Sequence, residues 1–288
     1  MRRASKFAAG WNTTVEPAAN RLPRRSNPLP GHPKAWLAIA MAWAAAFVDV
    51  VGWLVLYHVF TAHMTGNTAS FGIDVAERDW THAFHQSWPL VPFLVGLIYG
   101  ASTSAAAQRL RWHSSFAIAL VTELVLLGLF ISFGTRYSID GELRSPSPLI
   151  FYFLLSLPAA AMAIQTVTVT RVAGLRVYTT YLTGSLAKFA EAVAHYAFWF
   201  YDRTRGRFRK RFWKVLRVTV HQKYAQHAIL TAGLWLGYFL GAVSGALLKR
   251  RYDLLSLLFP CAVLLIATVI DIIRPVAAAD EPRPWDDT

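Results

Sequence analysis

FTAHMTGNTASFG, residues 60–72, lies within a stretch from 35 to 73 that is nearly free of charge, yet it carries His63, Thr65, Gly66 and Asn67 in its middle. As one straight helix, 39 residues would run about 58 Å, roughly twice the hydrocarbon thickness of a bilayer. They are also too few for two full crossings and a turn. The chain must therefore break, tilt or fold back here. YTTYLTGSLAKFA (178–190) repeats the pattern 118 positions later.

Composition supplies the setting. Of 288 residues, 55% are hydrophobic and 16% charged, and the net charge is +13. Soluble domains carry about a quarter charged residues, so the shortfall favours a membrane protein. The cations are clustered, seven in residues 1–34 and nine in 203–223. Residues 1–34 are polar, basic and proline-containing, without the apolar core of a signal peptide, and read as a disordered cytoplasmic tail. The single cysteine, Cys261, excludes an intramolecular disulfide framework.

A crossing needs about 20 mostly apolar residues. Six runs qualify: 35–57, 88–107, 114–134, 147–169, 224–248 and 254–273. Three hold no Asp, Glu, Lys or Arg, and the others hold one carboxylate each: Asp49, Glu123 and Asp271. The runs are continuous rather than alternating, which argues against a β-barrel. Lys and Arg counts in the loops place both termini inside, with 20 cations inside against 6 outside. Lys249, Arg250 and Arg251 run against that rule.

GLIYGASTSAAAQR (96–109) resembles GYFLGAVSGALLKR (237–250) at an offset of 141, in the same order as the two Thr-Gly motifs. The larger offset follows from the basic segment 203–223 in the second half. Three spans per half is an odd number, so the second half must enter the membrane from the opposite side. The expectation is an all-α membrane fold, a six-helix bundle of two inverted three-helix repeats with interrupted first helices. The repeats would be residues 35–134 and 147–273, and 274–288 would form a C-terminal tail.

Glycine accepts unusual dihedrals, while Asn67 and Ser185 are of the class that caps helix N-termini. A short half-helix is therefore expected near Asn67 and another near Ser185. Their amide ends would suit an anionic or polar group, making Thr65, Gly66, Asn67, Thr183, Gly184 and Ser185 candidate binding residues. Two turns at the membrane surface, without a ligand, are the alternative reading of the motifs.

With FVDVVGW and FTAHMTGNT (47–68), and QTVTVTRVAGLRVYTTYLTGSL (165–186), the chain resembles the YoaK-like family of bacterial multi-pass membrane proteins, a domain-of-unknown-function family. The resemblance runs from about residue 35 to about 273 and implies an integral membrane protein of some six helices. It implies no substrate or reaction. Ser185 departs mildly from the asparagine expected by analogy with Asn67, and 203–223 looks longer and more basic than the family core requires.

Asp49 and Glu123 lie within spans, where a charge facing lipid costs about 2.5–3.5 kcal/mol. Either exchanges a proton or binds a cation, or each merely holds helices together. Arg171 and Arg176 could pair with Asp49, neutralise an anionic substrate or snorkel to the interface. Gln165, with Thr166 and Thr168, is placed to hydrogen-bond across helices. His58 and His63 are five apart, which suits no shared helix face, so no metal site is expected and both are placed at the polar boundary. The four-residue spacings of Gly96 and Gly100, and of Gly237, Gly241 and Gly245, read as packing. In 203–223, Phe208, Phe212 and Leu216 recur every fourth residue. With Trp213 they suit an interfacial helix on anionic headgroups rather than nucleic acid.

Together these features suggest a secondary transporter or permease of the bacterial inner membrane for a small polar or anionic solute, with proton coupling as an option. A membrane scaffold or partner subunit is the alternative, and a homo-oligomer is compatible with either. Neither an enzymatic motif nor a cofactor is expected.

Overall fold

The computed structural model describes residues 32–110, 112, 114, 116–139, 142–144, 147–169, 182–204 and 223–273. The described chain is almost entirely helical: α1 (His32–Val55), α2 (Met64–Glu77), α3 (Trp80–Ser87), α4 (Leu90–Arg109), α5 (Ala117–Tyr137), α6 (Pro148–Val169), α7 (Leu182–Thr204), α8 (Lys223–Tyr252) and α9 (Leu258–Ile273). A 3-10 turn (Asp253–Leu257) joins α8 to α9. A two-residue hairpin, β1 (Ser138–Ile139) on β2 (Glu142–Leu143), links α5 to α6 with Ser138 opposite Leu143.

Among the described residues, five stretches are long and apolar enough to cross a membrane: Ala35–Val55, Trp80–Ala107, Ala117–Tyr137, Pro148–Thr168 and Ala225–Ile273. The last, at 49 residues, would measure about 74 Å as one straight helix. It is broken at the 3-10 turn, where Asp253 takes φ 49°. Helix α3, which hydropathy alone did not reveal, extends the second stretch toward its N-terminus. Asp79 caps α3 by accepting from the His82 amide at 3.1 Å. Backbone hydrogen bonding holds that exposed carboxyl below its usual range.

The helix directions follow from individual contacts. A Cβ on Gly237 would lie 3.0 Å from the Ile39 carbonyl oxygen, and one on Gly241 only 2.2 Å from that of Trp43. Helix α8 therefore runs parallel to α1 at near-contact of the backbones. In the same way, a Cβ on Gly96 would lie 2.6 Å from Ala160 O, and one on Gly100 would lie 3.3 Å from Ile164 O, making α4 parallel to α6. Tyr57, just past α1, meets Phe151 at the start of α6 (5.6 Å between rings). Gln165 near the end of α6 donates to Met41 O near the start of α1 at 3.0 Å. Those two helices are antiparallel. Ser114 and the Phe116 amide at the start of α5 bond to Asp271 at the end of α9. At the opposite end, Ser138 bonds to Asp253, so α5 and α9 are antiparallel too.

The core lies between α1, α5, α6 and α9, with Phe47, Val51, Leu127, Phe130, Leu154, Met162 and Leu264 all but fully enclosed. The outer faces remain apolar, as at Val91, Leu94, Val95 and Ile98 of α4 and Leu236, Phe239 and Leu240 of α8. Lipid tails are as apolar as these side chains, so helix association in a bilayer relies on close packing. The glycine stripes provide that packing.

Candidate functional site

Helix α1 ends at Val55, and Tyr57 and His58 then take φ of 52° and 61°. This left-handed geometry costs energy for residues with a Cβ, so the surrounding structure must hold it in place. The segment Phe60–His63 folds back as a hook. Thr61 seats its methyl against Gly52, where a Cβ would lie 2.6 Å from Thr61 Cγ2. The amides of Thr61 and Ala62 donate to Asp49 Oδ1 at 2.8 and 2.6 Å, and Thr61 Oγ1 donates to the same oxygen at 3.1 Å. On the other oxygen, His63 Nδ1 lies 2.5 Å from Asp49 Oδ2. The hydroxyl of Tyr238, from α8, lies 3.4 Å from Oδ2 and from both ring nitrogens of His63.

Asn67 closes the hook from α2. Its Oδ1 accepts from the Phe60 amide at 3.0 Å, and its Nδ2 donates to Phe60 O at 2.7 Å. The capping role expected of it is not what it performs. Helix α2 starts at Met64, with His63 in the cap position and no side-chain cap bond. Asn67, in the fourth position, turns its amide toward the loop instead. Ser185 likewise is the fourth residue of a helix that starts at Leu182. Helix α7 is 23 residues long rather than a short half-helix.

Asp49 is fully buried, whereas the His63 side chain is 32% exposed. The site is thus a buried carboxylate connected to the surface through an imidazole. The hydrogen bond to Asp49 raises the His63 pKa above its ordinary value, with partial burial opposing and the Asp49 charge assisting. The cationic imidazole is favoured, and beside it stands a donor hydroxyl. Such a pair can receive a polar or anionic group at the exposed ring edge, or pass a proton between ring and carboxylate.

The other expected residues are dispersed. Thr65 and Thr183 are exposed, Gly66 and Gly184 half-buried, and Ser185 buried. Gly66 packs against the Phe60 ring, from which a Cβ would be 3.3 Å. Glu123 is fully enclosed in α5, and neither of its oxygens has a hydrogen-bond partner among the described residues. Gln165 is buried on α6, its amide nitrogen on Met41 O. No hydrogen bond among the described residues joins Glu123 or Gln165 to Asp49. Arg171, Arg176, Phe208, Phe212, Trp213 and Leu216 lie outside the described residues. Among the described residues no group of three His, Cys, Asp or Glu could hold a metal ion.

Two members of the site were missed at the level of sequence. Spacing counted on a helix places His63 at the polar boundary, but the chain between His58 and His63 is not helical. The available signal was the 39-residue limit: a chain that must fold back near residue 57 returns residues 61–63 to Asp49. Tyr238 stands 189 positions from Asp49, and only the glycine match between the halves pointed to its helix.

Apolar helices enclosing a buried carboxylate, with apolar faces outside, define a multi-pass membrane protein. The chain belongs to the family described as "Protein of unknown function (DUF1275)", whose model matches residues 37–270. Over 150 residues it is 31% identical to the "UPF0700 transmembrane protein YoaK" of Bacillus subtilis (strain 168), a match covering 52% of this chain and 63% of that relative. The chain thus spans somewhat less than two thirds of that relative's length. No solved structure matches it. The likeness drawn from the Thr-Gly motifs is correct, and the family carries no assigned activity.

Proposed function

We propose that this protein is a permease for a small polar or anionic solute, built from two inverted three-helix repeats and without an enzymatic step. The observation that carries the reading is the set of helix directions. Relative to α1, helices α4, α6 and α9 run opposite, and α5 and α8 run alike. Each member of the triplet α1, α4, α5 is thereby opposed to its counterpart in α6, α8, α9. The contacts exchange in the same sense: α8 packs on α1 as α4 packs on α6, with Gly237 and Gly241 on Ile39 and Trp43 answering Gly96 and Gly100 on Ala160 and Ile164. Opposed repeats with an unwound segment beside a buried charge are the architecture of many alternating-access transporters.

The solute site in this reading is the hook, with the His63 edge and the Tyr238 hydroxyl as donors to it. In this reading α1 starts and α9 ends on the cytoplasmic side of the bacterial inner membrane, and the nine cations of the sequence 203–223 suit anionic headgroups. The test is uptake of radiolabelled small carboxylates and inorganic phosphate by proteoliposomes, preceded by a thermal-stabilisation screen of the same compounds. A compound that binds the folded state raises its melting point. Wild-type uptake that is lost in Asp49→Asn, with membrane insertion intact, is the expected result. Uptake unchanged in that variant removes the hook from the pathway, and absence of any uptake favours a scaffold.

A further inference from the structure

We infer that Glu123 is the seat of an exchangeable proton in the interior of the bundle, and that Asp49 is not. This rests on the permease reading and names the ion which that reading leaves open. The two carboxyls have opposite surroundings. Asp49 receives three hydrogen bonds on Oδ1 and faces His63 and Tyr238 on Oδ2. Glu123 is just as buried, and neither of its oxygens has a hydrogen-bond partner among the described residues. A buried carboxylate with no donor and no counter-charge costs several kcal/mol even after local relaxation. Asp49 is therefore held by donors on both oxygens, whereas nothing among the described residues is placed to hold a charge on Glu123.

The elements around α5 provide nothing else to compensate a charge. Helix α9 brings the Cys261 thiol within electrostatic reach of Glu123. Asp271, at the other end of α9, is engaged by Ser114 and the Phe116 amide. The 3-10 turn brings Asp253, bonded to Ser138. From α4, Tyr99 bonds to Thr122 at 2.9 Å, and α6 offers Tyr152 near its start, its one ionisable side chain. The cations of these helices stand at their ends, Arg109 closing α4 and Arg136 in the last turn of α5.

A metal cation would need several oxygen ligands. Leu120 and Leu127, which share the Glu123 face of α5, are buried hydrocarbon. A proton needs only the carboxyl itself. Register places one further unpartnered polar atom near this level. Phe133 of α5 meets Phe153 of α6, with 6.5 Å between rings, and the two helices are antiparallel. Ten residues from that contact bring Glu123 and Ala163 to one level, with Gln165 within a turn of it. Gln165 Oε1 also has no hydrogen-bond partner among the described residues. Glu123 gives its proton to water admitted at this level when the opposed triplets shift, leaving a carboxylate, and takes one back from the other face.

Dicyclohexylcarbodiimide tests this, since it partitions into lipid and adds only to a protonated acid. The carboxyl oxygen bonds to the carbodiimide carbon, and the acid proton passes to nitrogen. The full chain in liposomes is treated across a pH series and the adduct is mapped by peptide mass. The expected result is an adduct on Glu123 that falls about tenfold per pH unit above the group's own pKa. It is kept in Glu123→Asp, absent in Glu123→Gln, and not matched on Asp49. No adduct on Glu123 at any pH, a yield constant across the series, or equal labelling of Asp49 would overturn the assignment. Labelling needs no solute, so its failure leaves the permease reading standing, and failed uptake leaves the labelled acid standing.

Discussion

Truncating Asp49 would strand the amides of Thr61 and Ala62, both buried and both aimed at Oδ1. Each stranded donor costs about 1–3 kcal/mol, so Asp49→Ala is expected to lower the melting point of the detergent-solubilised protein sharply. Asp49→Asn keeps an oxygen for those amides and loses chiefly the charged contact with His63, so it falls between wild type and Asp49→Ala. The imidazole adds a pH dependence whose sign is fixed. Its folded pKa is raised above the ordinary 6.5 by Asp49. Its stabilising contribution is therefore fully present below pH 6.5 and is lost as pH rises through the folded value. Melting points measured across this range should decline on the alkaline side, and His63→Gln should flatten that decline. At this scale the sequence was partly legible. Asp49 and Asn67 were conspicuous because polar groups inside apolar runs need partners. Which partners they find depends on two left-handed residues, Tyr57 and His58, that no propensity favours.

Helices α1, α4, α5, α6, α8 and α9 are easier to foresee, since length and hydropathy set their places to within a few residues, whereas α2, α3 and α7 fall outside the apolar runs. Their contacts were legible only where glycine recurs every fourth position. Gly241 illustrates why: any Cβ there would lie 2.2 Å from the Trp43 carbonyl oxygen, a backbone atom that cannot yield without separating the helices. Gly241→Ala should therefore destabilise by about 1–3 kcal/mol, the usual cost of overpacking. Gly96→Ala, at 2.6 Å from Ala160 O, should act in the same direction. Gly128 supplies the control, because a Cβ there meets nothing within 4 Å. Gly128→Ala should be neutral or stabilising by up to about 1 kcal/mol through helix propensity. Thermal unfolding of the three variants checks the ordering. Helix α3 is not legible from hydropathy because the polar residues of WTHAFHQS (80–87) hide a helix whose start is set by a local cap, Asp79 on the His82 amide.

For the whole molecule, the decisive quantity is which helix ends share a membrane face. Since α8 is parallel to α1, Tyr252 emerges on the same face as Tyr57, although Lys249, Arg250 and Arg251 beside it oppose the positive-inside tendency. The close glycine contacts with α1 fix the direction of α8 more firmly than three cations near its end can oppose. These three cations therefore do not decide the course of α8. Helix α4 runs with α6 and against α1, so Leu110 emerges on the face opposite Tyr57. All three positions are exposed, at 49%, 44% and 62% for Tyr57, Tyr252 and Leu110. In a Cys261→Ala background, single cysteines at these positions can be probed with a membrane-impermeant maleimide on intact cells. Tyr57→Cys and Tyr252→Cys should both label from outside, and Leu110→Cys only after the membrane is opened. Labelling of Tyr57→Cys and Leu110→Cys from the same face would contradict the antiparallel course of α1 and α4. The opposition of the two triplets, and with it alternating access, would fall with that result.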